Sequence, residues 1–134
     1  MKTCVFVIAL GLTICNGVGF AKKFPLTADR SVPAARGQVD VGNDKNGNTK
    51  VEIEVKHLAA PENLTPARTA YVVWFQERGA EPLNQGLLKP NKNLEATFKS
   101  VTALKSFDVF VTAESEPSAK LPSGSEVLRA SVQP

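Results

Sequence analysis

The stretch Thr69-Ala70-Tyr71-Val72-Val73-Trp74-Phe75-Gln76 contains the only tryptophan and the only tyrosine of the chain. Its five central residues are all large and apolar. It is short for a helix, and Val, Tyr, Trp and Phe favour strands. A short run that is apolar on both faces is typical of a strand buried on both sides. We therefore predict a central strand over residues 70–76 and arrange the other segments around it.

Further strands are predicted on both sides of the central one. The clearest spans residues 50–56, where Val, Ile and Val alternate with charged residues, a period of two that indicates one buried and one solvated face. Asn46-Gly47, just before it, is a strong hairpin signal. The remaining predicted strands span residues 36–41, 83–88, 94–101, 107–114 and 126–132. Seven main strands at even spacing predict an all-β, antiparallel, immunoglobulin-like sandwich over residues 36–134.

The sequence also predicts where particular residues lie in the sandwich. Trp74 is expected to fill the space between the sheets, and its indole N–H would need an acceptor. A Trp–Tyr pair can also form a platform for carbohydrate or peptide, but exposed apolar runs are rare on soluble proteins, which favours a core role. Leu94 is expected to point inward. Residues 22–35 contain two prolines and are predicted to be an extended lead-in, with an edge strand around residues 24–27.

The N-terminus has the pattern of a secretory signal peptide. Lys2 is followed by an apolar run over residues 4–14, shorter than the roughly 20 residues that span a membrane. Gly19-Phe20-Ala21 supplies small residues at the −3 and −1 positions, so residues 1–21 are predicted to be removed. Cleavage after Gly19 and an uncleaved anchor are the alternatives. Both cysteines lie in this segment, and lipidation of Cys15 would tether the protein to a membrane.

The rest of the chain contains no recognisable catalytic or metal-binding motif. His57 is the only histidine; it lacks ligands at metal spacing and a partner that would orient a catalytic base. We expect it at the rim of the sheet, in phase with the buried face of strand 50–56. Residues 42–48 are rich in Asp and Asn but lack the spacing of a calcium loop. We expect no enzymatic activity, no cofactor and no bound metal.

The net charge of +3 comes from scattered residues rather than from a basic cluster. Proteins that bind nucleic acid usually concentrate Lys and Arg on one face. We therefore expect the charged residues to solvate the surface and expect no nucleic-acid partner.

The second half of the chain resembles the C-terminal, extracytoplasmic domain of anti-sigma-K factors. That domain has a Tyr-x-x-Trp strand, a Gly-Leu strand, a Val-Thr-x-Glu strand, a Pro/Gly-rich loop and a Val-Leu strand. The corresponding residues here are Tyr71-Val72-Val73-Trp74-Phe75, Gly86-Leu87-Leu88, Val109-Phe110-Val111-Thr112-Ala113-Glu114, Pro117, Pro122, Gly124 and Val127-Leu128, spread over about half of the chain.

The resemblance implies an immunoglobulin-like fold, a bacterial source and a periplasmic or extracellular location. The sequence departs from the family by lacking its cytoplasmic sigma-binding part and its transmembrane helix, so direct binding of a sigma factor is not expected. What carries over is the fold, the location and a role in binding or sensing.

Two functions fit these observations. The first is a protein-interaction or sensing module of the cell envelope, with residues 22–35 and the loop at residues 115–125 as candidate docking segments. The identity of the partner and its contact residues are not apparent from the sequence. The alternative is a structural or adhesive envelope protein that has no specific ligand.

Export can be tested by the intact mass of the protein purified from its own host. We expect a mature form that begins at Lys22 or Phe20, because the apolar run is too short to remain as a membrane anchor. A form that begins at a lipid-modified Cys15 would place the protein on a membrane surface. A mature protein that still begins at Met1 would contradict the prediction.

Overall fold

The computed structural model describes residues 22–133, so the predicted signal peptide and its cleavage site lie outside the described residues. No helix among these residues is long and apolar enough to cross a membrane. A short 3₁₀ helix spans Pro61–Asn63. The strands are β1 (Lys22–Ala28), β2 (Arg36–Asn43), β3 (Thr49–Lys56), β4 (Ala70–Gln76), β5 (Leu83–Leu88), β6 (Ala96–Thr102), β7 (Phe107–Glu114) and β8 (Ser125–Val132).

The strands form one continuous sheet in the order β5-β4-β7-β8-β1-β2-β3-β6. Every pair is antiparallel. The all-β, antiparallel prediction is confirmed, and β4, β5 and β7 have the predicted bounds. The strand number differs, because eight strands are present and they form a nearly closed sheet rather than a clear seven-stranded sandwich.

Strand β1 joins the two halves of the sheet, which we call the β3 half (β2, β3 and β6) and the β4 half (β5, β4, β7 and β8). Residues 22–26 pair with β2, whereas Thr27 and Ala28 pair with β8. The expected edge strand is therefore an interior strand. It ties the N-terminal segment to both halves of the sheet.

Pro25 explains why the β1–β8 ladder is short. The Asp29 N–H donates to the Val127 carbonyl at 2.9 Å, so by alternation the odd-numbered residues of β1 turn their backbone groups toward β8. Pro25 is the odd-numbered residue that comes before Thr27, and it has no N–H to donate. The ladder with β8 consequently ends at Thr27, and the first part of β1 pairs with β2 alone.

The end strands β5 and β6 close the sheet without a backbone ladder. The Ser100 hydroxyl lies 3.5 Å from the Gln85 amide oxygen. Gly86 has a φ of 130°, a conformation that favours glycine, and a Cβ added there would lie 3.3 Å from the Phe98 ring. An aromatic ring packed against bare backbone therefore fills the gap between these two strands.

The main core fills the interior of the sheet. Tyr71 of β4 is one of its largest members, and its hydroxyl donates to the Ala59 carbonyl at 2.5 Å. Burial, followed by the negative charge of Glu62, raises the pKa of Tyr71 to about 12, so this hydroxyl keeps its proton at neutral pH. Other fully buried members are Val39, Ile53, Val55, Val73, Phe75, Val109, Val111 and Leu128.

A second, smaller cluster lies on the opposite side of β4. Val72 and Trp74 point away from the main core and pack with Phe110 of β7. The Trp74 and Phe110 ring centroids are 6.4 Å apart, and Leu87 and Ala119 pack against the cluster. Trp74 is buried as predicted, but it does not lie inside the sheet. The predicted position of Trp74 is therefore wrong, because side chains alternate along β4 and the interior positions are those of Tyr71, Val73 and Phe75.

Two positions near the ends of β3 and β6 differ from the sequence pattern because their backbone is left-handed. His57 has a φ of 58° and Leu94 a φ of 60°, and both side chains are exposed. His57 does lie at the rim, but Leu58 takes the buried position that the alternation assigned to His57. Leu94 does not point inward, because it belongs to the turn before β6 rather than to the strand.

Replacement of Trp74 by alanine should lower the free energy of unfolding by about 3–5 kcal/mol, because it empties a fully buried site. Urea denaturation followed by circular dichroism measures the change. Leu121→Ala is the control: Leu121 is 53% exposed, so its loss should change the free energy by no more than about 0.5 kcal/mol. A Trp74→Ala variant as stable as the parent would show that Trp74 is not a core residue.

Candidate interaction surface

A ten-residue segment covers part of the outer face of the β4 half. We call residues 115–124, between β7 and β8, the strap. Asn84 of β5 holds its first part, because the side-chain amide donates to the carbonyls of Pro117 (3.2 Å) and Ala119 (2.8 Å). A β-bulge opposite Val73 and Trp74 interrupts the pairing of β4 with β5 beside Asn84. The strap thereby brings Ala119 onto the Trp74 cluster.

A buried carboxylate holds the other end of the strap. Glu114 is 1% exposed. It accepts a hydrogen bond from the Thr112 hydroxyl at 2.5 Å and one from the Ser123 hydroxyl at 2.7 Å. The N–H groups of Ser123 and Gly124 also donate to it. Thr112 in turn accepts the indole N–H of Trp74 at 2.8 Å, so a continuous chain of hydrogen bonds links the tryptophan to the strap.

The hydrogen bonds keep Glu114 ionised. Burial alone would raise its pKa, but the bonds from Thr112, Ser123 and Gly124 outweigh that effect and lower the pKa below its usual value. The close approach requires glycine at position 124, because an added Cβ would lie 1.7 Å from the Ala113 carbonyl oxygen. Hydrogen bonds therefore hold the strap at both ends.

The remainder of the outer face, on β7 and β8, is open and charged. Arg129 pairs with Asp108 at 2.8 Å and with Glu126, and its guanidinium carbon lies 4.6 Å from the centroid of the Phe110 ring. The Ser131 hydroxyl donates to Asp108 at 2.8 Å. We call Asp108, Glu126, Arg129 and Ser131 the Arg129 face. Its ion pairs are about 41% exposed, and such pairs contribute only about 0–1 kcal/mol to stability.

Two clefts meet at the Arg129 face. The first, of about 480 Å³, lies along β1 and β8 and reaches from Pro25 and Asp29 to Ser131. The second, of about 720 Å³, lies at the ends of β4, β7 and β8 and is lined by Glu77, Arg78 and again Ser131. Hydrogen bonds from the N–H and hydroxyl of Ser31 hold the pKa of Asp29 below its usual value. The first cleft therefore has two carboxylates, Asp29 and Glu126, near the start of β8.

The two segments predicted to dock a partner occupy different places in the fold. Residues 22–35 are largely structural, since they form β1 and bury Val32 and Ala35, although they also supply one wall of the first cleft. Residues 115–124 form the strap, and Ser125 begins β8. The sequence did not predict the Arg129 face, because its residues come from two strands and only Arg129 and Ser131 show the period of two that marks a solvated strand face.

The described residues contain no group of three or more His, Cys, Asp or Glu side chains that could hold a metal ion. Asp40 of β2 is buried, and its Oδ1 atom has no hydrogen-bond partner among residues 22–133. Its neighbours across the sheet are Lys23 and Glu52. Asp40 with one lysine and one glutamate beside it does not supply the three or more ligands that a metal site would need.

No protein-family model matches the chain, and no curated protein shows significant sequence similarity to it. The resemblance to the extracytoplasmic domain of anti-sigma-K factors accordingly stays a prediction.

Glu114→Gln should lower the free energy of unfolding at neutral pH by about 2–3 kcal/mol, because the buried donors lose a charged acceptor. The folded-state pKa of Glu114 is lowered, so its contribution is complete above the unfolded pKa of about 4.3 and is lost as pH falls through the folded pKa. The difference between parent and variant should therefore shrink in acid. Urea titrations at several pH values, followed by Trp74 fluorescence, measure it.

The matched control is Glu116→Gln, which removes an exposed strap carboxylate and should change stability by less than about 0.5 kcal/mol. A parent–variant difference for Glu114→Gln that is the same at neutral and acidic pH would contradict the assigned role of the carboxylate.

Proposed function

We propose that this chain is an exported, non-enzymatic interaction module of a bacterial cell envelope, and that it binds a protein partner through the Arg129 face. The observation that carries the proposal is the divided outer face of the β4 half. One part is closed by a strap that is fixed at both ends. The other part is an open, charged surface between two clefts.

The fold proposed for this module is an immunoglobulin-like sandwich with an additional strand. Strands β2, β3 and β6 are neighbours in the order that such domains label A-B-E, and β5, β4, β7 and β8 in the order C′-C-F-G. Strand β1 would then be an extra strand that joins A to G. Strand D of the constant-type domain has no counterpart among the described residues.

The properties of the Arg129 face support binding rather than a structural role. Its ion pairs contribute little to folding because they are exposed to solvent. Its side chains are nonetheless organised: Arg129 is held by two carboxylates above an aromatic ring, and arginine is enriched at binding hot spots. A charged group that stability does not need and that lies between clefts is typical of a recognition surface.

The proposal can be tested with a photo-crosslinking amino acid at Ser131, which lines both clefts. The matched control position is Thr97, an exposed residue of β6 on the outer face of the β3 half. The tagged proteins are expressed in the native host, irradiated in intact cells and analysed by mass spectrometry. We expect one protein to be crosslinked in stoichiometric amount from position 131 and not from position 97.

Two results would count against the proposal. Equal crosslinking of the same proteins from both positions would indicate non-specific proximity. No adduct from position 131, with the protein abundant in the envelope, would instead favour a structural or adhesive protein without a specific ligand.

A further inference from the structure

The two clefts beside the Arg129 face are acidic, although the chain as a whole is basic. Their linings contain four carboxylates and two guanidinium groups, a net formal charge of −2, whereas the whole chain carries +3. None of the described lysines lines either cleft. Arg30 and Lys105 neighbour cleft residues in sequence but do not line the clefts. The charged lining residues are Asp29, Glu77, Arg78, Asp108, Glu126 and Arg129.

The opposite outer face, on the β3 half and β1, has the other sign. The charged residues on the outward positions of these strands are Lys23, Arg36, Asp40, Lys50, Glu52, Glu54, Lys56 and Lys99. Five are basic and three are acidic, a net charge of +2. The separation of charge between the two faces means that the acidity of the clefts is a local property. A cationic group will be attracted to the clefts and an anionic one repelled.

The carboxylates of the two clefts are not equivalent. Asp108 and Glu126 both contact the Arg129 guanidinium, so one cationic group already bridges them. Asp29 and Glu77 form no ion pair among residues 22–133, and they line different clefts. An extended chain with cationic side chains at several positions could reach both clefts, whereas a single compact cation could not.

The backbone of β8 offers a further contact at the same place. The register that pairs Thr27 with Arg129 would set Pro25 opposite Ser131, but Pro25 has no N–H to donate. The ladder between β1 and β8 does not extend to Ser131. By the alternation set by the Asp29–Val127 bond, the backbone groups of Ser131 face this gap and can pair with an incoming strand.

We propose that the Arg129 face binds an extended, lysine- or arginine-rich segment of a partner protein. The segment lies in the first cleft, over the outer side of the seam between β1 and β8. It pairs with the backbone of Ser131, where the seam opens, and sets its cationic side chains near Asp29, Asp108 and Glu126. This inference rests on the proposed function, since it names the chemistry of the partner for the same surface.

The test uses a capped, fluorescein-labelled peptide of alternating lysine and valine, and a counterpart in which glutamate replaces lysine. Fluorescence anisotropy with the purified protein at low salt measures binding. We expect the lysine peptide to bind at least about tenfold more tightly than the glutamate peptide and to weaken as salt is added. Equal binding of the two peptides, or no binding of the lysine peptide, would overturn the proposal.

Protein variants locate the bound peptide. The double variant Asp108→Asn with Glu126→Gln should weaken binding of the lysine peptide about tenfold. The control, Glu52→Gln with Glu54→Gln, removes the same charge from the opposite face and should leave binding unchanged. Equal weakening by both pairs would show that only net charge matters. Thermal melts by circular dichroism identify a variant that has lost its fold.

Ser131→Pro tests the backbone contact without changing any charge. The Ser131 N–H faces the gap toward β1 and takes no part in the ladder with β7, so proline can be tolerated at this position. Ser131→Pro should weaken binding relative to Ser131→Ala, because it removes this donor. If Ser131→Pro does not fold, a lysine–valine peptide with N-methylated backbone amides tests the same contact, and it should bind the parent protein less tightly than the unmethylated peptide. Crosslinking of a partner from position 131 without preference for the lysine peptide would refute this inference alone. Failure of both the crosslinking from position 131 and the binding of the lysine peptide would refute the proposed function as well.

Discussion

Both faces of β4 are apolar, and neither can be left in water at low cost. Tyr71, Val73 and Phe75 on one face are covered by the curvature of the sheet, which brings β3, β7 and β8 around them. Val72 and Trp74 on the other face cannot use that core. The burial of a large apolar side chain is worth about 1.5–3 kcal/mol, so the second face needs a cover of its own. The strap is that cover, and the hydrogen bonds at its two ends hold it over Val72 and Trp74.

The strap makes few apolar contacts, because Ala119 is the strap residue that packs on the cluster beneath it. Hydrogen bonds therefore hold the strap in place, whereas apolar packing holds the strands of the main core together. Buried hydrogen-bonded groups are costly when one partner is missing and stable when every partner is present. The chain from Trp74 through Thr112 to Glu114, and from there to Ser123 and Gly124, meets that condition. The aromatic cluster and the buried carboxylate thus stabilise each other.

The strap closes one part of the outer face and leaves the rest of it open, and this open part is the surface proposed to bind a partner. The Arg129 face is adjacent to the strap through Phe110, which packs on Trp74 at one side and on the Arg129 guanidinium at the other. A rigid floor under a charged group keeps that group in one orientation, which reduces the entropy lost on binding. The constraint that buries Trp74 therefore also positions the residues proposed to meet a partner.

The sequence by itself determined where the strands lie, that β4 is apolar on both faces, and that β3 has one wet face. These properties are local, since they follow from a period of two and from turn residues between strands. Only the tertiary structure decided which face of β4 is interior, that Pro25 divides β1 between two neighbours, and that Asp108 meets Arg129. Strand order and register join residues far apart in the chain, and alternation alone does not encode them. The alternation also failed to predict that Leu94 is exposed. Leu94 has a left-handed backbone, and the geometry of the turn between β5 and β6 sets that conformation.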